Sequence, residues 1–252
     1  MGYIRFAVAG LVAVVVLVLS VVLLAIDWIV GLFSMKARDR LTMKVVYVAF
    51  SIILFAAGTR IHVSGAEKLK KDTAYIYIGN HRSFFDVLVA YRIFPSITSF
   101  IAKKEFANVP FLSWWMRMLH NLFLDREDIK QGLKTTLTAI DYAKGGMSIC
   151  VFPEGTRNKT EEPMLPFHAA TFKIAEKSGC PIIPMTMYNM SDAFEDHFPQ
   201  VKRTDVFIDF GEPIYVKDLA PEDKKRLSDY VRDIMLVRYE ELKKQYEELN
   251  VK

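Results

Sequence analysis

The stretch Ala74-Tyr75-Ile76-Tyr77-Ile78-Gly79-Asn80-His81-Arg82-Ser83-Phe84-Phe85-Asp86 decides the fold. An apolar run of strand length leads into a polar turn, and the apolar segment Val87 to Tyr91 follows as a helix. The turn carries a histidine and a carboxylate five positions apart. On a regular helix five residues amount to about 500°, or roughly 140° around the axis, so His81 and Asp86 share no helical face and meet only across a turn. A neutral imidazole with a carboxylate partner is suited to taking a proton from a hydroxyl near neutral pH. The same residues fit a capping box, with Ser83 as N-cap and Asp86 reaching back, so a purely structural reading stands beside the chemical one.

Working outward, Ile61 to Ser64, Thr98 to Ala102, Ser148 to Phe152, Ile182 to Tyr188 and Asp205 to Phe210 read as further short strands. Most are continuous apolar runs, as in sheets covered on both faces. Helical periodicity lies between them. Ile129, Leu133, Leu137 and Ile140 repeat after the cap Asp128 and stop at Gly145-Gly146; Pro166 to Ser178 is a second helix, ended by Gly179. A third starts at Pro221, with an apolar stripe of Leu227, Val231, Ile234, Leu242 and Leu249. Strands alternating with helices predict an α/β fold with a mixed, largely parallel sheet flanked by helices. Sites in such sheets gather beyond the carboxyl ends of strands, where the His81 turn, Lys103 and the stretch after Phe152 all fall.

Toward the N-terminus, Phe6 to Ile26 is an uncharged run that would measure about 30 Å as a helix, the thickness of a hydrocarbon core, and reads as a membrane span. It exceeds the apolar core of a secretory signal, and no small-residue cleavage pattern follows it. Val45 to Thr59, at roughly 22 Å, falls short of a span and reads as an interfacial or re-entrant helix, with Gly58 at its end. Residues 1–60 are thus expected to form a two-helix membrane-binding element and residues 61–252 the catalytic domain. Lys36, Arg38, Arg40 and Lys44 between the two runs, against Arg5 alone on the N-terminal flank, place the domain on the cytoplasmic side of the cell membrane.

The formal charge of +4 comes from 33 basic residues interspersed with 29 acidic ones, which argues against a nucleic-acid partner. Cys150 and Cys180 have no metal-ligand spacing and form no disulfide framework, which fits a reducing compartment. His62, His120, His168 and His197 lack paired spacing, so no metal site is expected.

A second informative stretch is Phe152-Pro153-Glu154-Gly155-Thr156-Arg157. Pro153 and Gly155 fit a tight turn at a strand end, while the flanking charges suit a ligand, since a guanidinium fork matches phosphate geometry. His81 with Asp86 resembles the His-four-residues-Asp motif of the glycerolipid acyltransferases, and Phe152 to Arg157 is similar to that family's Glu-Gly-Thr-Arg block. Lys103-Lys104-Glu105-Phe106, Ser113 and Arg126 keep the spacing of another block, with Phe106 and Ser113 departing from its leucine and glycine. Pro181-Ile182-Ile183-Pro184 resembles the fourth block, and the likeness runs from about Ile61 to Ile214. His168-Ala169-Ala170 stands where many members have lysines and a glycine.

Within the family the chain looks most like the bacterial branch that acylates lysophosphatidic acid. The resemblance implies His81 as general base with Asp86 as its orienter. It also implies Lys103, Arg126 and Arg157 as candidates for the acceptor's phosphate, with Glu154 and Gly155 shaping that pocket. The implied partners are membrane lipids, lysophosphatidic acid and a donor, acyl-coenzyme A or acyl carrier protein. An acyl thioester is already activated, so neither a cofactor nor a covalent intermediate is expected.

Overall fold

Every residue of β2 (Ile76–Gly79) is buried, as its unbroken apolar run requires of a strand covered on both faces. The computed structural model describes residues 1–250; positions 251 and 252, the end of the expected catalytic domain, lie outside the described residues. The sheet has seven strands: β1 (Thr59–Ser64), β2, β3 (Thr98–Lys103), β4 (Leu122–Leu124), β5 (Ser148–Val151), β6 (Ile182–Tyr188) and β7 (Thr204–Phe210). Their order is β1-β7-β6-β2-β5-β3-β4. All neighbours are parallel except β6 and β7, so the sheet is mixed and largely parallel. Four parallel neighbours, β2, β5, β3 and β4, therefore deliver their carboxyl ends side by side to one edge.

Alternation along β2 divides the core in two. Tyr75 and Tyr77 face α3 (Phe85–Ile93) and α4 (Leu112–Met118), in a cluster with Val89, Phe94 and Trp115. Ile76 and Ile78 face α5 (Ile129–Lys144), α6 (Lys173–Ser178) and, after the short α7 (Pro221–Lys225), α8 (Leu227–Asn250). Each buried aliphatic side chain contributes about 1.5–3 kcal/mol, which is why a four-residue strand can anchor both layers.

The N-terminal segment is a hairpin, α1 (Gly2–Phe33) and α2 (Met35–Ala57), joined at Ser34, whose Oγ accepts a hydrogen bond from the Ala37 amide at 3.2 Å. Both helices are long and apolar enough to cross a membrane by length and composition. The sequence divides this element into a spanning helix and an interfacial one, whereas in the structure a continuous hairpin is seated on the domain. Helix α2 starts at Met35, well before the apolar run at Val45, and Gly58 caps it with φ +75°, a conformation that carries no penalty without a Cβ. Trp115 Nε1 donates to Ser20 Oγ at 2.7 Å, the Val201 amide donates to the Gly2 carbonyl at 3.2 Å, and Phe6 stacks on Phe194. Ala9, Leu24, Val46, Leu54 and Ala57 lie in the same core as Tyr77. The boundary at residue 60 is thus a change of composition rather than a break in packing. The outward face of α1, including Leu11, Val15, Leu19, Val22 and Ile26, remains exposed and apolar.

Three expectations are corrected. Of the four periodic residues of α5 only Ile140 is buried: Ile129 is 88% and Leu133 61% exposed, and Leu137 is exposed too, while Thr135, Ala139 and Ala143 join Ile140 in facing the core. Small side chains let this helix approach the sheet closely, and the larger ones are displaced to its rim. Only Lys173 to Ser178 of the second expected helix is α-helical, preceded by a 3-10 turn, Ala169–Phe172. The C-terminal helix breaks at Arg226, and along α8 Met235 is buried whereas Ile234 and Leu249 are exposed.

The buried bond between hairpin and domain is open to test. Trp115→Phe should cost about 1–2 kcal/mol, from a lost hydrogen bond and lost volume. Combination with Ser20→Ala should add less than the sum of the two single changes, measured by thermal unfolding in detergent.

Candidate active site

The turn after β2 is held on three sides. Asn80 is buried and bonds like a strand residue to β6, its Nδ2 donating to the Met187 carbonyl and its Oδ1 accepting from the Met187 amide, both at 2.8 Å. The His81 amide donates to Glu154 Oε1 at 2.7 Å, and the His81 carbonyl accepts from the Asn158 amide at 2.7 Å. Arg82 spans the loop opposite, donating to the carbonyls of Thr160 and Glu162 at 2.7 Å each. The backbone at His81 is therefore fixed before its side chain is considered.

Asp86 Oδ2 lies 2.7 Å from His81 Nδ1 and accepts the amides of Arg82 at 2.8 Å and Ser83 at 2.9 Å. An oxygen that already accepts two amide protons accepts a third from the ring, so Nδ1 carries the hydrogen and Nε2 is left with its lone pair. Ser83 Oγ accepts from the Phe85 amide at 2.9 Å. Only half of the expected capping box forms: Asp86 reaches back to the Ser83 amide, but the helix starts after Phe84 without a side-chain cap, and the Asp86 amide bonds the Ser83 carbonyl instead of its hydroxyl. The same carboxylate oxygen thus braces the turn and orients the ring. The imidazole lies flat on Phe152, centroid to centroid 4.1 Å with 9° between the planes, which fixes the plane in which Nε2 points.

Glu154 is buried beneath the turn, with Oε1 on the His81 amide and Oε2 on the Leu165 amide at 2.8 Å. Burial pushes its carboxyl up to about 6, and the two amide bonds hold it back from rising further. Both oxygens are engaged by backbone, so the side chain shapes this end of the sheet by bracing the turn. Gly155 has φ +71°, the left-handed conformation that favours glycine, and a Cβ there would press on the exposed His168 ring at 3.1 Å.

The expected cations are unequally placed. Arg157 Nη1 donates to Glu195 Oε1 at 3.1 Å, and its Cζ lies 3.9 Å above the ring of Phe84, directly beside the His81 turn. Lys103 ends β3, is 51% exposed and pairs with Glu105 at 2.9 Å; Arg126 is exposed just past β4. With neighbouring strands about 4.8 Å apart, β3 and β4 lie roughly 10 and 14 Å from β2, so these two reach the site only by extending across β5. Glu195 itself was invisible to spacing. It accepts Ser83 Oγ at 2.6 Å and the Phe84 amide at 2.8 Å from a loop remote in sequence, and no local pattern announces it.

A buried carboxylate holding a histidine in one tautomer, at a strand end beside a guanidinium, is a geometry for proton transfer next to an anion. Comparison with known proteins agrees. The family model described as Acyltransferase matches residues 60–188, just over half of the chain. The chain belongs to the acyltransferase family. It is 31% identical over 195 residues to the 1-acyl-sn-glycerol-3-phosphate acyltransferase of Saccharomyces cerevisiae, an overlap covering 77% of this chain and 64% of the yeast protein. It is 29% identical over 204 residues to the protein of the same name from Borreliella burgdorferi, covering 81% of each. In fold it matches the crystal structure of the 1-acyl-sn-glycerophosphate (LPA) acyltransferase PlsC from Thermotoga maritima. The TM-score is 0.79 at 22% identity, over 95% of this chain and 98% of that one. This acyltransferase therefore shares its architecture, hairpin included, with that enzyme.

The Glu154 brace sets a pH dependence. Because the folded protein holds this proton more tightly than the unfolded chain, stability from this group is fully present below about 4.5 and declines as pH rises to about 6. Relative to Glu154→Gln, which does not titrate, the wild type should lose about 2 kcal/mol across that window and nothing further above it, measured by unfolding at a series of pH values.

Proposed function

We propose that this acyltransferase transfers a fatty acyl chain from an acyl thioester to the sn-2 hydroxyl of lysophosphatidic acid, forming phosphatidic acid. The observation that carries the reading is the 2.7 Å bond from His81 Nδ1 to Asp86, which leaves Nε2 as an acceptor on a turn whose Phe84 lies under the Arg157 guanidinium. The names of the yeast and Borreliella relatives support the choice of acceptor.

In the proposed reaction His81 Nε2 takes the hydroxyl proton as the oxygen attacks the thioester carbonyl carbon. Asp86 keeps the ring in its tautomer and stabilises the imidazolium. Collapse of the tetrahedral intermediate breaks the carbon–sulfur bond, and the departing thiolate takes the proton from Nε2. No acyl-enzyme forms. Arg157 binds the acceptor's phosphate, and Lys103 and Arg126 add long-range attraction from the neighbouring strand ends. The donor is acyl-coenzyme A or acyl carrier protein.

The apolar outer face of the hairpin lies in the cell membrane, with the domain on the cytoplasmic side. Acceptor and product both keep their chains in the bilayer, so a site at the interface takes its lipid laterally and its donor from the aqueous phase. The basic residues around α2, including Lys36, Arg40 and Lys44, support this orientation.

Purified protein given lysophosphatidic acid and either donor should produce phosphatidic acid. His81→Ala should lower turnover by roughly 10²-fold or more. Arg157→Ala should raise KM for lysophosphatidic acid about 10-fold or more while sparing an acceptor that lacks phosphate. Thioester hydrolysis without acyl transfer, unaffected by Arg157→Ala, would assign water as the acceptor instead.

A further inference from the structure

Glu195 lies outside all four sequence blocks and yet makes one carboxylate the junction between two of them. Its Oε2 accepts Ser83 Oγ at 2.6 Å, and its Oε1 accepts both the Phe84 amide at 2.8 Å and Arg157 Nη1 at 3.1 Å. Ser83 and Phe84 belong to the turn that carries His81. We propose that Glu195 is a positioning residue that holds Arg157 at a fixed reach from His81 and so selects acceptors whose phosphate sits next to the reacting hydroxyl. This assignment rests on the phosphate reading of Arg157 given above.

The argument is geometric. A free arginine samples many rotamers, and binding a ligand would have to order it. Here Nη1 is taken by Glu195 and one face of the guanidinium lies 3.9 Å above the ring of Phe84, so the orientation of the plane is set in advance. Among the described residues Nε and Nη2 have no protein partner. These two donors point along the same edge, the arrangement that accepts two oxygens of one phosphate.

Charge alone does not explain the pairing. Glu195 offsets the positive charge of Arg157 and weakens long-range attraction for any anion. What the pair retains is placement: guanidinium and imidazole are tied to the same short turn. An acceptor whose phosphate is one carbon away from the hydroxyl meets both groups at once; one whose phosphate is absent or displaced meets only the base.

The test compares wild type, Glu195→Gln, Glu195→Asp, Arg157→Ala and the Glu195→Gln/Arg157→Ala double variant. Each is assayed with lysophosphatidic acid and with a monoacylglycerol of the same chain, after a thermal melt establishes that it is folded. Glutamine keeps a neutral oxygen for the Phe84 amide and Nη1 but removes the charge that holds the guanidinium, so a strong charge-assisted bond becomes a weak one. Glu195→Gln should therefore raise KM for lysophosphatidic acid roughly 10-fold or more, lower kcat far less, and change the rate with monoacylglycerol by a clearly smaller factor than kcat/KM with lysophosphatidic acid. Glu195→Asp, which keeps the charge, should recover part of the loss, and the double variant should be no worse than Arg157→Ala. If Glu195→Gln does not fold, Glu195→Asp must itself show the KM increase without a matching fall in kcat. A fall in kcat with KM unchanged would mean that Glu195 only caps the turn, and multiplicative losses in the double variant would mean that it acts apart from Arg157. Either overturns the proposal. Wild type that acylates lysophosphatidic acid while Glu195→Gln matches it overturns this proposal alone, whereas wild type inert toward every acceptor overturns the proposed function and takes this one with it.

Discussion

The structure around the site depends on one buried oxygen. Asp86 Oδ2 receives the His81 ring and the amides of Arg82 and Ser83, within a residue almost wholly removed from water. A carboxylate in that position is costly unless its charge is met by donors, and three donors meet it here. Two of them come from the backbone that starts α3, so the bond that orients the imidazole is inseparable from the bonds that begin the helix. A cap and an orienter looked like rival readings of the sequence. They are the same atom, and anything that loosens the helix start also releases the ring.

Why the site was partly legible follows from the range of its contacts. His81 and Asp86 are five positions apart, so the need for a turn between them could be read directly, and Asp128, which accepts the Gln131 amide at 3.0 Å, sits where a cap was expected. The six longer strands carry apolar runs that announce them; β4, three residues long, has no room for a pattern. Periodicity located α5 but gave its buried face only at Ile140, because the other residues that pack, Thr135, Ala139 and Ala143, are too small to mark a stripe. Glu195, Phe152 as the ring's support, and the brace role of Glu154 belong to contacts between distant segments, which only the folded chain brings together.

The cations illustrate the same division. Block spacing put Lys103, Arg126 and Arg157 in one group, and the sheet spreads them outward from His81: Arg157 past the end of β5, Lys103 at the end of β3 and Arg126 past the end of β4. Only Arg157 is tied to the His81 turn by contacts, through Phe84 and Glu195. An acceptor small enough to bridge hydroxyl and phosphate within a single carbon cannot use all three equally. On the proposed reading the nearest supplies the directional bonds and the other two a field, which is strong only while the strand-end surface stays partly shielded from water.

The hairpin enters this geometry from the far side of the turn. Phe194, the residue before Glu195, stacks on Phe6 at 5.8 Å, and Val201 at the end of the same loop donates to the Gly2 carbonyl. The segment that positions Arg157 is therefore also the segment on which α1 begins. In the proposed reaction a lipid acceptor presents its phosphate at a height set by the bilayer surface, while the hairpin sets the height of the protein. If the guanidinium were carried on a loop free of the hairpin, those two heights would vary independently, and the hydroxyl would meet Nε2 only in a fraction of encounters. On the proposed reading, packing Phe6 against the neighbour of Glu195 joins membrane depth to phosphate reach, which preorganises the site for an acceptor held at the bilayer surface by its acyl chain.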